Sequence, residues 1–313
     1  MIAVLCGGVG AARLLTGLVQ VVEEEQLAAV VNTGDDAVMH GLYICPDLDT
    51  ITYTLSGSVN PATGWGLEGE SWQAMEALER IGGPERTWFR LGDRDLGTHL
   101  YRTGRLAEGA SLTEVSAEIA RAFGLRLRLL PMSDDPVRTE LIAKSGGRLA
   151  FQEYFVQHRH EVAVEAVSFL GAEEAAPSPA AMEALARADL VVVAPSNPVV
   201  SIGPILALPG VSELLSSRRE SVVAVSPIVG GKALKGPADR LLVELGGQAS
   251  AAGVAARLAR VAATLVIDEG DSSEQGAVSA AGMRPVLAPA VMSDGRAAAV
   301  LAEAVLAAAG PLG

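Results

Sequence analysis

The sequence predicts an α/β fold: a Rossmann-like, doubly wound, mostly parallel sheet with a helical, aromatic-rich inserted module. Three observations carry this. Short continuous Val/Ile/Leu runs alternate with segments of helical spacing, the pattern of a parallel sheet covered on both faces. The first run stops at Gly7-Gly8, a glycine turn that opens a helix. All aromatic residues lie between Tyr43 and Phe169, while the flanks are rich in Gly, Ala and Val. The core is therefore expected from residues 1–50 and 185–313, with 51–184 inserted.

The elements follow in order. Ile2–Cys6 is an apolar strand. Ala11–Val22 is a helix, with Leu14, Leu15, Leu18 and Val22 on one side. Leu27–Val31 is a second buried strand ending in Asn32-Thr33-Gly34-Asp35-Asp36. Asp49–Leu55 starts a helix, and Ser71–Ile81 is amphipathic and helical. Leu112–Phe123 is a helix with Ser111 or Thr113 as its cap. Arg148–Phe155 alternates weakly, as a strand does. Ala172–Ala181, rich in Glu, Ala and Pro, reads as a linker before a helix over Ala180–Arg187. Leu190–Ala194 and Val222–Val225 are strands, with a short helix at Val211–Leu215 between them. Ala251–Ala262 is a helix, Thr264–Ile267 a strand, Val286–Leu287 part of a last strand, and Gly295–Ala309 the closing helix.

Half of the 313 residues are hydrophobic, enough for a sizeable core. Lys+Arg 24 against Asp+Glu 37 gives a net charge of −13. That argues against nucleic acid or an anionic membrane surface as partner. A small phosphorylated ligand remains compatible, because backbone amides or a metal ion can hold phosphate. Two cysteines, Cys6 and Cys45, make no disulfide scaffold, so a reducing, cytoplasmic setting is expected. No apolar run is long enough to span a membrane, and no secretory leader is apparent.

In a doubly wound sheet the ligand lies beyond the carboxyl ends of the strands, so the polar loops there carry the chemistry. Gly7-Gly8-Val9-Gly10-Ala11-Ala12-Arg13 follows the first strand. Its glycines permit either close approach of backbone amides to a phosphate or simply a tight turn. Arg13 stands where the dinucleotide pattern needs a third glycine, which weakens a nicotinamide reading. Asp35, Asp36, Asp47 and Asp49 are four carboxylates in loops at sheet ends. Magnesium takes one or two carboxylates with water and phosphate, so a metal or general-base role is favoured over capping. Pro195-Ser196-Asn197-Pro198 with Ser201, and Ser226-Pro227 with Gly230-Gly231, form rigid donor-rich loops suited to a base, a ribose or a phosphate. Gly92-Asp93-Arg94-Asp95 with His99 is a charged knot that a salt-bridged turn also explains. Cys45 reads as buried and inert, and His158 and His160 as surface residues.

Taken together, these loops resemble one family. Gly7-Gly8-Val9-Gly10, Asn32-Thr33-Gly34-Asp35-Asp36, His40-Gly41-Leu42, Cys45-Pro46-Asp47-Leu48-Asp49-Thr50, Leu91-Gly92-Asp93-Arg94-Asp95, Leu130-Pro131-Met132-Ser133-Asp134-Asp135, Ala194-Pro195-Ser196-Asn197-Pro198 and Ser226-Pro227-Ile228 occur in this order. That order is similar to the 2-phospho-L-lactate transferase family of coenzyme F-420 biosynthesis, across nearly the whole chain. The resemblance implies a magnesium-dependent transferase. Its acceptor would be the ribityl-bearing 8-hydroxy-5-deazaflavin precursor Fo. Its donor would be a guanosine diphospho-derivative of L-lactate or enolpyruvate, and GMP would leave. Residues 1–50 and 185–313 would then form the nucleotide-diphosphate-binding core.

On that reading Asp36, Asp47 and Asp49 hold Mg²⁺, with Asp36 and Asp49 catalytic and Asp49 orienting or deprotonating the ribityl hydroxyl. Gly7, Gly8, Gly10, Arg13, Ser196, Asn197, Pro198, Ser201, Ser226 and Gly230 line the donor site. Arg90, Asp93 and Asp95 shape the deazaflavin pocket. The wording of the first loops is closer to the actinobacterial, enolpyruvyl-using branch, and the family implies a homodimer. The competing reading is a UDP-sugar-binding regulator similar to the YvcK-type gluconeogenesis factors. Asp35-Asp36-Ala37-Val38 departs from the Asp-Asp-Gly-Gly-Ser-Ser run of that group.

Overall fold

In the computed structural model, which describes residues 1–310, strand, glycine turn and helix open the chain. β1 is Ile2–Cys6, α1 is Gly8–Val21 and β2 is Leu27–Val31. A hairpin of β3 (Ala37–Met39) and β4 (Leu42–Ile44) follows, turning at His40-Gly41, both at positive φ. Helices α2 (Pro46–Leu55), α3 (Gln73–Gly82), α4 (Asp95–Ala107) and α5 (Leu112–Ala122) come next. Ser111 and Glu114 close a reciprocal capping box on α5, as the Ser-x-x-Glu spacing expects. β5 (Arg128–Pro131) leads to a separate antiparallel sheet of β6 (Arg138–Ala143), β7 (Arg148–Ala150) and β8 (Val164–Leu170).

In the second half one or two helices separate successive strands of the central sheet. α6 (Pro179–Arg187), β9 (Leu190–Val193), α7 (Ile202–Ala207), α8 (Val211–Ser217) and β10 (Val222–Val225) precede a small hairpin, β11 (Ile228–Val229) and β12 (Lys232–Ala233). α9 (Ala238–Glu244), α10 (Ala251–Leu258), β13 (Thr264–Asp268), α11 (Gln275–Ala280), β14 (Arg284–Ala288) and α12 (Gly295–Ala308) complete it.

The central sheet has seven parallel strands in the order β14-β13-β10-β9-β1-β2-β5. Its first six positions counted from β5 reproduce the doubly wound nucleotide-binding order. Alternate residues of each strand enter opposite cores, as the period of two dictates. Ala3, Leu5, Ala28, Val30, Val191 and Val193 face the core covered by α6 to α11. Ile2, Val4, Leu27, Ala29, Leu190 and Val192 face the core covered by α1, α2, α5 and α12. Burial on both faces is why these strands read as unbroken apolar runs. A third, small cluster of Ile44, Met75 and Leu91 lies under Trp72 and Phe89, apart from the sheet.

Three expectations are corrected. β5, inside the segment expected to be inserted, is an edge strand of the central sheet, paired in parallel with β2 from Ala28↔Arg128 to Val31↔Pro131. The segment 51–184 is thus woven into the core rather than set apart from it. Arg148–Phe155 is a strand only to Ala150, and Glu153–Gln157 then winds as a π-helix. Phe151 and Phe155, four apart, stack with centroids 5.4 Å apart, a helical contact hidden in a weakly alternating sequence. The Ala172–Ala181 stretch is no free linker: Ala172, Ala175 and Ala181 are buried, and Ser178 caps α6.

Candidate active site

The chain leaves β1 toward β2 on one side and returns to β9 on the other, so the carboxyl ends of β1 and β9 flank the switch point. Two predicted loops meet there. The Ser196 hydroxyl donates to the Gly7 carbonyl at 2.7 Å and accepts from the Gly7 amide at 3.2 Å. A Cβ on Gly10 would lie 2.2 Å from the Pro195 carbonyl oxygen, and one on Gly7 2.5 Å from Ser201 Cβ. Only glycine lets these backbones close. Asn197 Oδ1 accepts from the amides of Val199 and Val200 and holds the loop rigid around buried Pro198. Gly7 caps α1 without a side-chain acceptor. Gly8, at φ +67°, gives its amide to Asp47. The first-turn amides of Val9 and Gly10 have no side-chain acceptor among the described residues. That makes an anion-attracting helix start.

The carboxylates sort into distinct jobs. Asp47 accepts from the Gly8 amide at 2.8 Å and from Asn32 Nδ2 at 3.0 Å, so both oxygens hold the turn. Burial pushes its carboxyl up to about 6 against those two donors. Asp36 accepts from Cys45 Sγ at 3.0 Å through Oδ2, while its buried Oδ1 has no partner. Burial pushes Asp36 up to about 8, opposed by the Cys45 thiol and by the charges of Arg102 and Arg138. Cys45 is buried as expected, but it touches a site carboxylate. Asp35 Oδ1 is also buried and unpartnered, and burial with the nearby Asp47 charge raises its carboxyl well above the usual range.

Asp49 belongs to a buried ion network. Arg102, 1% exposed, engages both Asp49 oxygens through Nη1 and Nη2. His99 Nδ1 lies 3.8 Å from Asp49 Oδ2, and its Nε2 lies 3.2 Å from Asp95 Oδ2. The Tyr53 hydroxyl donates to Asp95 and also contacts Thr98 Oγ1 at 2.9 Å. α2 supplies Asp49 and Tyr53, and α4 supplies Asp95, His99 and Arg102 one turn apart on one face.

The expected magnesium trio of Asp36, Asp47 and Asp49 is therefore not one convergent ligand set. Among the described residues the group whose ligand atoms approach within 4.8 Å is Asp49, Asp95 and His99, and there Arg102 already supplies the positive charge. The unpartnered oxygens of Asp36 and Asp35 fit a hard divalent cation: they are buried carboxyl oxygens without a hydrogen-bond donor, and a cation would favour their ionised form.

Other expected site residues have structural partners. Asp93 accepts from Ser71 Oγ and from the amides of Gln73 and Ala74, so it caps α3. Those bonds hold its carboxyl below the ordinary value. Arg90 lies 5.0 Å over the Trp72 ring, on the surface. Arg13 donates to the Met292 carbonyl. Ser226 turns back on its own loop, accepting from the Ile228 amide and donating to the Ile228 carbonyl. The Gly230 amide is held by Asp271. Sequence reasoning missed Arg102 and Tyr53. The signal for Arg102 was a helical period placing Asp95, His99 and Arg102 on one face, in a segment read as a turn, and that for Tyr53 was its place one helical turn after Asp49.

Fold and crevice define a Rossmann-type α/β protein with an anion-attracting helix start beside a buried acidic cluster. The sequence profile of the 2-phospho-L-lactate transferase CofD family matches residues 2–296, and the chain belongs to that family of transferase enzymes. Among its relatives is a phosphoenolpyruvate transferase of Streptomyces griseus, 42% identical over 310 residues and 97% of each chain. A second, from Kitasatospora aureofaciens, is 42% identical over 98% of this chain and 97% of the relative. A third, from Mycobacterium tuberculosis, is 40% identical over 97% of each chain. A crystal structure of a UPF0052-family protein from Bacillus halodurans superposes with a TM-score of 0.65 over 97% of this chain and 98% of that one. At 16% identity this likeness is one of fold.

Proposed function

We propose that the protein transfers a phosphoenolpyruvyl group from a guanosine diphospho-donor to the terminal ribityl hydroxyl of Fo, forming dehydro coenzyme F-420-0 and GMP. The observation that carries this reading is the start of α1 at the switch point, where the amides of Val9 and Gly10 have no side-chain acceptor, in a site that also holds buried carboxylate oxygens without partners. The family supports it, and the names of the relatives favour the enolpyruvyl over the lactyl donor. The hydroxyl oxygen forms a bond to the phosphorus bearing the enolpyruvyl group. The bond from that phosphorus to the bridging oxygen breaks, GMP leaves with the electron pair, and the hydroxyl proton is released to water.

Such a transfer needs little covalent help from the protein and much positioning and charge stabilisation. The amides of Val9 and Gly10 receive the diphosphate oxygens, and the Ser196–Ser201 loop walls the nucleotide side. Asp36, with Asp35 beside it, would hold Mg²⁺, which when bound supplies positive charge to the diphosphate. Asp47 holds the glycine turn in its shape. Arg102 engages both oxygens of Asp49. Asp49 therefore fits orientation of the hydroxyl better than removal of its proton.

The test is a mass-spectrometric endpoint assay with Fo, Mg²⁺ and each guanosine donor made in situ. The phosphoenolpyruvyl product with matching GMP supports the proposal, and the phospholactyl product moves the donor. No product with either donor sinks it. Asp36→Asn is expected to lose at least about 100-fold in turnover. Asp49→Asn is expected to lose less if Asp49 orients and does not act as base.

A further inference from the structure

Lys144, Lys232 and Lys235 are the lysines of this acidic chain, and two of them sit in or just after the β11–β12 hairpin. That hairpin is fixed at its base. Ser226 bonds both polar groups of Ile228, and the Gly230 amide is clasped by both oxygens of Asp271. Lys235 then reaches the Thr63-Gly64 turn. Its ammonium donates to the Thr63 carbonyl at 3.1 Å. A Cβ on Gly64 would lie 3.0 Å from Lys235 Nζ and 3.7 Å from Val9 Cγ1, so the ammonium stands close to the first turn of α1.

Lys235 is exposed, and no carboxylate of the described residues pairs with it. An ammonium carries three protons, and a single neutral carbonyl accepts here. Of the arginines nearby, Arg102 is paired with Asp49, Arg13 donates to the Met292 carbonyl, and Arg138 lies beside Asp36 over the Tyr43 ring. Lys235 is thus the lysine beside the first turn of α1, where an anion at the amides of Val9 and Gly10 would arrive.

We infer that Lys235 grips the second phosphate of the donor, exchanging the Thr63 carbonyl for a phosphate oxygen, and that it distinguishes a nucleoside diphosphate from the monophosphate product. The inference rests on the proposed reading of the crevice as a guanosine diphosphate site. A lysine meets phosphate as a point charge, so its contribution is salt-sensitive and follows the charge of the phosphate it touches. After transfer the departing monophosphate no longer presents that group, and the contact is lost with it.

Calorimetric titration of GDP and GMP into the wild-type protein, Lys235→Met, Lys235→Arg and Lys232→Met tests this in the presence of Mg²⁺. The wild type is expected to bind GDP more tightly than GMP. Lys235→Met should weaken GDP at least about tenfold and leave GMP within about twofold, flattening the salt dependence of GDP binding. Lys235→Arg should restore most of the preference, and Lys232→Met should match the wild type. A wild type that prefers GDP, with Lys235→Met keeping that preference, overturns the role of Lys235 and leaves the proposed function standing. Equal binding of GDP and GMP by the wild type also overturns it. A wild type that binds neither nucleotide overturns the crevice reading and this inference together.

Discussion

Asp36 and Asp49 are both buried acids next to Arg102, yet they differ in what holds them. Asp49 has the whole guanidinium, whereas Asp36 has a thiol and an empty oxygen. The consequence is a pH dependence. Asp36 rises from an ordinary 3.8 to about 8 and Asp47 to about 6, so both bind a proton more tightly folded than unfolded. Stability tied to them is full below the ordinary value of 3.8 and is lost as pH rises through 6 to 8. The metal-free protein should therefore melt lower at about pH 8 than at about pH 5, and Asp36→Asn should flatten that slope. At about pH 8 Asp36→Asn should gain about 1–3 kcal/mol, since a tenfold difference in proton affinity is worth ~1.4 kcal/mol. Differential scanning calorimetry across that range checks it, and an unchanged slope in Asp36→Asn would refute the assignment. Arg102→Met should cost about 3–5 kcal/mol in urea unfolding, because it strands Asp49 in the interior. Adding Asp49→Leu should recover much of that loss.

At the scale of elements, close approach is set by glycine. α1 crosses α12 where a Cβ on Gly17 would lie 2.1 Å from the Ala298 carbonyl oxygen. Gly17→Ala must push two backbones apart and should cost about 2 kcal/mol. In α11, by contrast, a Cβ on Gly276 meets nothing within 4 Å. Gly276→Ala should stabilise by about 0.4–1 kcal/mol through the unfolded chain and helix propensity. Thermal melts of the pair decide between steric and propensity effects, since both residues lie in helices. α4 shows the reverse dependence of element on site. Its inward face carries Thr98, His99 and Arg102 instead of aliphatic residues, so it packs by ion pairing onto α2.

At the scale of the whole molecule, two large cores share one sheet, and a third, small one lies outside it. Trp72 packs on the small cluster and Trp88 contacts Phe89 beside it, so two of the three tryptophans report on a region where α3 buries only Met75. A segment with so few buried apolar contacts opens at lower free energy than the sheet. Tryptophan fluorescence should accordingly show a urea midpoint below that of far-UV circular dichroism, which reports the whole fold. Coincident midpoints would mean that the small cluster unfolds with the sheet. No helix among the described residues is long and apolar enough to cross a membrane.

Much of this architecture was legible in the chain before folding was considered. Strands buried on both faces must be continuously apolar, so Ile2–Cys6, Leu27–Val31 and Val222–Val225 stand at their predicted bounds. Gly7 and Gly10 announce a close approach because no other residue permits one, and the order of motifs matches the family found. Tertiary structure alone decided the partners. Asp47 and Asp49 are two apart in sequence, yet one binds the Gly8 amide and the other Arg102 from a distant helix. Asp93 and Asp95 part likewise, one capping α3 and the other joining His99 and Tyr53. β5 joined the sheet because its Leu129 and Leu130 fill opposite cores, whatever module its neighbours in sequence build. Local sequence fixes period, turn and cap, which are short-range steric facts. The charge that balances a buried carboxylate comes from whichever helix packs against it, and packing is a property of the folded whole.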